Sequence, residues 1–240
     1  MIRVIGHQHP ITQMIAEINE IFSEIGFSFA AGSEAETERY NFDLLNVPKD
    51  HPSRDMQDTF WFKNKDVPEP TVLRTHTSAV QAHFLEKHKP PIRIIVPGKT
   101  FRNEATDATH EAQFYQMEGL CVDTDVNLAQ MKGVLEYFFS KFFQGQTSVR
   151  FRPSYFPFVE PGVEVDMKLL SGNSKLVGKW LEVMGAGMVH PNVLQMAGID
   201  SDVYSGFAFG AGLDRLGMIK YGVTDVRDYY TGDLRFVNQF

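Results

Sequence analysis

The sequence predicts an α+β domain, an antiparallel sheet flanked by helices. Three observations lead there. Segments such as Phe114–Gly119 and Arg150–Met167 alternate their side chains with the period of a strand, and such alternation belongs to antiparallel sheets with one face covered. Two long stretches, around residues 11–25 and 128–142, instead space their apolar residues by three and four, as amphipathic helices do. At 240 residues, 43% of them hydrophobic, the chain is long enough for one compact domain with a substantial core.

Pro10 opens the first helix, whose stripe is Ile11, Met14, Ile15, Ile18, Ile21, Phe22 and Ile25. Gly26 stands where a left-handed C-cap belongs, and Phe27–Ala30 reads as a strand. The charged, proline-containing stretch from Lys63 to Pro70 is a loop. Val72–Ser78 reads as a short strand with His76 and Ser78 on one face. Ser78 is also a reasonable N-cap for the helix that follows, and a capping role and a binding role can coexist. After Lys89-Pro90-Pro91 the apolar run Ile92–Val96 is another strand. Asn127 caps a second long helix, with Leu128, Met131, Val134, Leu135, Phe138, Phe139 and Phe142 on its buried side. RFRPSYFPFVEPGVEVDM then reads as strands around a tight corner at Pro157. Ser171–Lys179 is a hairpin loop, Trp180–Met184 a strand, and SGFAFGAGLDRLGMIKYG a strand running into a helix that bears Arg215.

Gly98–Asp123, GKTFRNEATDATHEAQFYQMEGLCVD, is the stretch around which the chain is organised. Two strands joined by a long polar loop, with Arg102 ending the first, suit an anionic substrate. A guanidinium fixed by strand geometry grips a phosphate bidentately and keeps its charge. Phe114, Gln116 and Glu118 share one face of the returning strand. Phe156 and Phe158 flank a stiff corner and could clamp an aromatic ligand, although such rings are more often core. Other chemistries fail. The sixth position of GAGLDR is Arg215, so no dinucleotide fingerprint is present, and Phe114 stands where a zinc helix needs a second histidine after His110-Glu111. The single cysteine, Cys121, allows no internal disulfide and fits a reducing compartment. No membrane-length apolar run or secretion signal is present, so a cytoplasmic protein is expected. A net charge of −7 argues against nucleic-acid binding over the whole surface.

The Gly98–Asp123 string resembles the second signature motif of class II aminoacyl-tRNA synthetases, in the form of the phenylalanyl-tRNA synthetase alpha subunit. The long helix and strand, followed by GSEAETERYNFDLLNVPKDHPSRDMQDTFWF, resemble the first motif, and SGFAFGAGLDRLGMIKYG the third. WLEVMGAGMVHPNVL between the last two is also characteristic, and the resemblance runs almost from His9 to Phe240. It departs at Ser33, usually proline, at Tyr115, commonly histidine, and at Asp214, usually glutamate.

The resemblance implies one class II catalytic domain over residues 1–240. It implies activation of phenylalanine by ATP, with magnesium, and transfer to tRNA(Phe) alongside a beta subunit in an alpha2-beta2 tetramer. The helical tRNA-binding arm that usually precedes this core is expected to be absent. By position, Arg102 and Arg215 would be the catalytic arginines. Arg102, Glu104, His110, Phe114 and Arg215 would hold ATP. His76, Ser78, Arg102, Gln116 and Glu118 would surround the polar end of phenylalanine, with Phe156, Phe158 and Ala208 around its ring. Glu160 would supply one ligand to a magnesium shared with the beta subunit. Glu104 and His110 on their own read as solvated loop residues. A non-catalytic, synthetase-like binding protein is the alternative from another class, though retention of Arg102 and Arg215 speaks against it. An amino-acid ligase that forms an adenylate without tRNA is a third reading.

Overall fold

The computed structural model describes residues 6–54, 58–63, 69–171 and 176–240. The middle of the charged loop before Pro70 and residues 172–175 of the hairpin loop lie outside them. A seven-stranded sheet forms the centre, in the order β1-β4-β5-β9-β8-β7-β6. Its strands are β1 (Ser28–Phe29), β4 (Ile92–Phe101), β5 (Gln113–Asp123), β6 (Thr147–Phe156), β7 (Val159–Leu169), β8 (Trp180–Val189) and β9 (Ser205–Gly212). Neighbours pair antiparallel except β1, which runs parallel to β4. The expected antiparallel sheet therefore carries one short parallel edge. A second, two-stranded sheet joins β2 (Ala35–Thr37) to β3 (Thr71–Leu73).

One face of the large sheet is closed by α1 (Pro10–Glu24), α4 (Leu128–Phe142) and α6 (Leu213–Tyr221). The helices form where the apolar spacing put them. Ile11, Met14, Ile18, Ile21 and Phe22 are buried on α1, and Gly26 takes φ +82°, which costs a glycine little. Asn127 caps α4 through a reciprocal box with Gln130. Met131, Leu135, Phe138, Phe139 and Phe142 are buried below it. Phe22 stacks on Phe138 and on Phe209, with centroids 5.1 and 5.6 Å apart. Seven of the twenty phenylalanines are buried in this layer. Phe207 and Phe209 point into it, so Ala208 between them faces the other side.

The opposite face is covered only in part. α3 (Ser78–Lys87) and α5 (Pro191–Met196) pack over Leu120, Val122 and Val189. A small cluster of Phe42, Leu44, Leu45, Val47, Val72 and Ala82 roofs the region beside them, next to the short α2 (Glu38–Asn41). The middle of the sheet is left open between these coverings, and α7 (Leu234–Val237) closes the chain.

Two local expectations change. The strand expected over Val72–Ser78 ends at Leu73. Arg74 then turns inward, and its guanidinium donates to the carbonyls of Lys99 (2.7 Å), Gly32 and Ser33. The chain follows it out of the strand, and Thr75 N–H bonds Asn41 instead of a neighbouring strand. His76 and Ser78 consequently reach the site from a turn and a helix start. Ser78 is also not the N-cap. Thr77 occupies that position, without a side-chain cap bond, and the Ser78 hydroxyl is committed elsewhere. At Ser33 the hydroxyl accepts the Ala35 N–H (3.2 Å), so a hydrogen bond closes a short turn there.

Candidate active site

The open part of the sheet is the floor of a cavity of about 490 Å³. Its floor is nearly flat because Gly185, Ala208 and Gly210 contribute almost no side chain from β8 and β9. A Cβ at Gly185 would sit 2.9 Å from the Phe156 ring, so glycine there lets that ring lie down on the sheet. Phe156 ends β6 and Phe158 precedes β7, with Pro157 between them. The two rings are nearly parallel, with centroids 6.0 Å apart, and the Asn46 amide fixes the corner by donating to the Pro157 carbonyl (2.7 Å). One end of the cavity is therefore aromatic and apolar.

The other end is polar and organised around Glu118, which is 5% exposed. Its carboxylate accepts the Ser78 hydroxyl, the Thr77 N–H (3.2 Å) and the Gln81 amide (3.1 Å). Burial pushes its pKa up to about 7, against the pull of these donors and of the nearby Arg102 charge. Arg102 follows directly on β4 and lines the same cavity. Its Nε donates to the Thr75 carbonyl (3.2 Å) and its N–H to Ala112. Burial and the Arg102 charge push His76 down to about 3, so its imidazole is neutral at physiological pH. His76 Nδ1 and Gln116 Oε1 are buried with no partner among the described residues, and both line the cavity. Such atoms usually have partners, so both are free to meet a ligand's donors or a water.

Of the residues singled out from the sequence, His76, Ser78, Arg102, Glu104, Gln116, Glu118, Phe156, Phe158 and Ala208 line this one cavity. His110, Phe114, Glu160 and Arg215 do not. Phe114 lies beside it, its ring centroid 5.1 Å below the Arg102 guanidinium. His110 sits on the loop between β4 and β5 and pairs with Asp107 (3.0 Å), which also accepts the Thr109 N–H. Arg215 is exposed on the first turn of α6, and Glu160 is exposed at the start of β7. The preceding Asp214 is buried and turned away from solvent.

Sequence reasoning missed Gln81 and the backbone of Thr77, which complete the Glu118 shell. It also missed the roof residues Phe42 and Val47. Gln81 was findable: three residues after Ser78 in a helix, it projects from the same face. The roof was not, because it meets the Phe156–Phe158 corner only across more than a hundred residues of chain.

The family described as "tRNA synthetases class II core domain (F)" matches residues 2–240. The phenylalanine–tRNA ligase alpha subunit of Dehalococcoides mccartyi is 51% identical over 243 residues, covering 98% of this chain and 70% of that protein. The protein of the same name from Bacillus mycoides is 50% identical over 242 residues, 98% of this chain and 69% of its own length. Among solved structures, pyrrolysyl-tRNA synthetase from Desulfitobacterium hafniense superposes with a TM-score of 0.71 over 96% of this chain and 76% of its own. At 18% identity this likeness speaks for the fold alone. With half of its residues identical to those relatives over nearly all of its length, and the class II core matching residues 2–240, this chain belongs to the alpha-subunit family of phenylalanine–tRNA ligases, within the class II aminoacyl-tRNA synthetases.

Proposed function

We propose that this chain activates L-phenylalanine with ATP and, with a beta subunit, passes it to tRNA(Phe). In the first step a carboxylate oxygen of the amino acid attacks the alpha-phosphorus, and the bond to pyrophosphate breaks. Both partners are anionic, so positioning and charge stabilisation carry the step and no protein nucleophile is required. The observation that carries the reading is the division of one cavity into a phenylalanine-lined end and a polar end built from Glu118, Gln116 and Arg102.

The phenyl ring would lie against Phe156 and Phe158 above Ala208, and the ammonium would face Glu118 and the free Gln116 oxygen. Arg102 would sit between carboxylate and phosphate, offsetting their repulsion with a fork that can bond both. Phe114 would stack under adenine with Arg215 over it, while Glu104 and His110 would hold the ends of the nucleotide from the loop. Magnesium bound with ATP would supply charge neutralisation for the departing pyrophosphate. Among the described residues no three His, Cys, Asp or Glu side chains cluster as a metal site. Glu160 fits the proposed shared magnesium as one oxygen donor, its remaining ligands coming from outside the chain.

No helix of the described residues is long and apolar enough to cross a membrane. The single cysteine suits the reducing cytoplasm in which we place the protein. The test is phenylalanine-dependent exchange of pyrophosphate into ATP, with tyrosine as the control. A para-hydroxyl facing apolar walls goes unsatisfied at a cost of about 1–3 kcal/mol, roughly tenfold to a hundredfold or more in rate. Equal exchange with both amino acids would overturn the pocket assignment.

A further inference from the structure

Two of the departures from the family pattern, Tyr115 and Asp214, meet in the folded chain. β9 stops at Gly212, opposite Gln116 on β5. The backbone N–H of the next residue along β5, Tyr115, thus has no strand beside it on that edge. The Asp214 carboxylate takes the strand's place and accepts it through Oδ2 at 2.7 Å, while its other oxygen accepts the Tyr230 hydroxyl. Asp214 is 4% exposed, and Tyr230 is half-buried beside it.

Tyr230 belongs to a segment that is itself tied to the site. The Val226 N–H donates to the Ala108 carbonyl (2.9 Å), in the loop carrying Glu104 and His110. The Tyr229 carbonyl is held by His9 Nε2 (2.8 Å) at the start of α1. Phe114 immediately precedes Tyr115, and Arg215 immediately follows Asp214. One carboxylate therefore ties the backbone beside Phe114 to the helix start that bears Arg215.

We propose that Asp214, held by Tyr230, is a positioning residue that sets the spacing between Phe114 and Arg215, and so the width of the slot that takes the purine base of ATP. The proposal rests on the ATP half of the function proposed above. The Asp214 carboxylate bridges strand and helix start directly, and Tyr230 holds its second oxygen. Asp214 touches no substrate in this scheme. Its effect is confined to the nucleotide, because the amino-acid end of the cavity hangs on Glu118, Ser78 and the Phe156–Phe158 corner instead.

Calorimetric titration of the full chain with ATP and with phenylalanine separately tests this without turnover. Asp214→Ala unties the two walls of the slot, so it is expected to weaken ATP binding about tenfold and to leave the phenylalanine Kd within about twofold. Asp214→Glu keeps an acceptor and should bind ATP with an affinity between those of Asp214→Ala and the parent. Tyr230→Phe removes only the supporting hydroxyl and should weaken ATP about threefold, which keeps the proposal testable if Asp214→Ala fails to fold. Loss of affinity for both ligands together would mean a general structural role and overturn the proposal, as would an unchanged ATP isotherm in either variant. A parent chain that binds ATP but not phenylalanine would sink the amino-acid assignment instead, and the ATP comparison would still decide the role of Asp214.

Discussion

Glu118 gives the sharpest test of the site, because its pH dependence has opposite signs for stability and for binding. Its carboxyl sits at about 7 in the fold against an ordinary 4.5, with burial as the main cause. The folded chain therefore holds this proton more tightly than the unfolded chain, and folding loses stability as pH rises from about 4.5 to about 7. At roughly 1.4 kcal/mol per tenfold change in proton affinity, the loss approaches about 3 kcal/mol once the group is fully ionised. Binding runs the other way. A ligand ammonium needs the carboxylate, which is about one tenth populated at pH 6 and about nine tenths at pH 8. Apparent affinity scales with the competent fraction, so phenylalanine should bind about tenfold tighter at pH 8 than at pH 6. His76 is already neutral across this window and adds nothing. The assay pairs urea unfolding at several pH values with titration of phenylalanine in the absence of ATP, on the parent and on Glu118→Gln. The glutamine variant should lose the difference in both measurements. A phenylalanine Kd that moves less than twofold between pH 6 and 8, or moves equally in Glu118→Gln, would refute the role given to Glu118.

Arg102→Lys keeps the charge but not the planar fork, and pyrophosphate exchange should fall about a hundredfold or more; near-normal turnover would make Arg102 a bystander. Ala208→Gly removes the methyl beneath the ring, so activation of para-chlorophenylalanine relative to phenylalanine should rise, by an amount equivalent to about 1–3 kcal/mol; an unchanged ratio in a folded variant would mean that Ala208 does not meet the amino acid. Phe138→Ala empties the middle of the layer formed by Phe22, Phe139 and Phe142 and should cost about 3–5 kcal/mol in denaturant unfolding, whereas a loss below about 1 kcal/mol would contradict that packing.

The helices were legible because their signals are local. The spacing of Ile11 to Ile25, the Pro10 start, Gly26 and the Asn127 cap act within a few residues, and the structure keeps each of them. The antiparallel strands were legible for the same reason, since alternation is written along a single strand. So was the orientation of Ala208, fixed by parity against Phe207 and Phe209. The recurring motifs brought most of the candidate site residues into view, and the fold gathers nine of them around one cavity. Tertiary structure decided the rest. Ser78 reads as an N-cap in sequence, because nothing nearby competes for its hydroxyl; a buried carboxylate forty residues along the chain does compete, and takes it. Val72–Ser78 reads as one strand, because the alternation cannot register that Arg74 must find three backbone carbonyls on other segments. The meeting of Tyr115, Asp214 and Tyr230 spans more than a hundred residues and follows no periodicity. Such contacts are set by where the sheet ends and which polar groups burial leaves unpaired, and those quantities exist only once the chain has closed on itself.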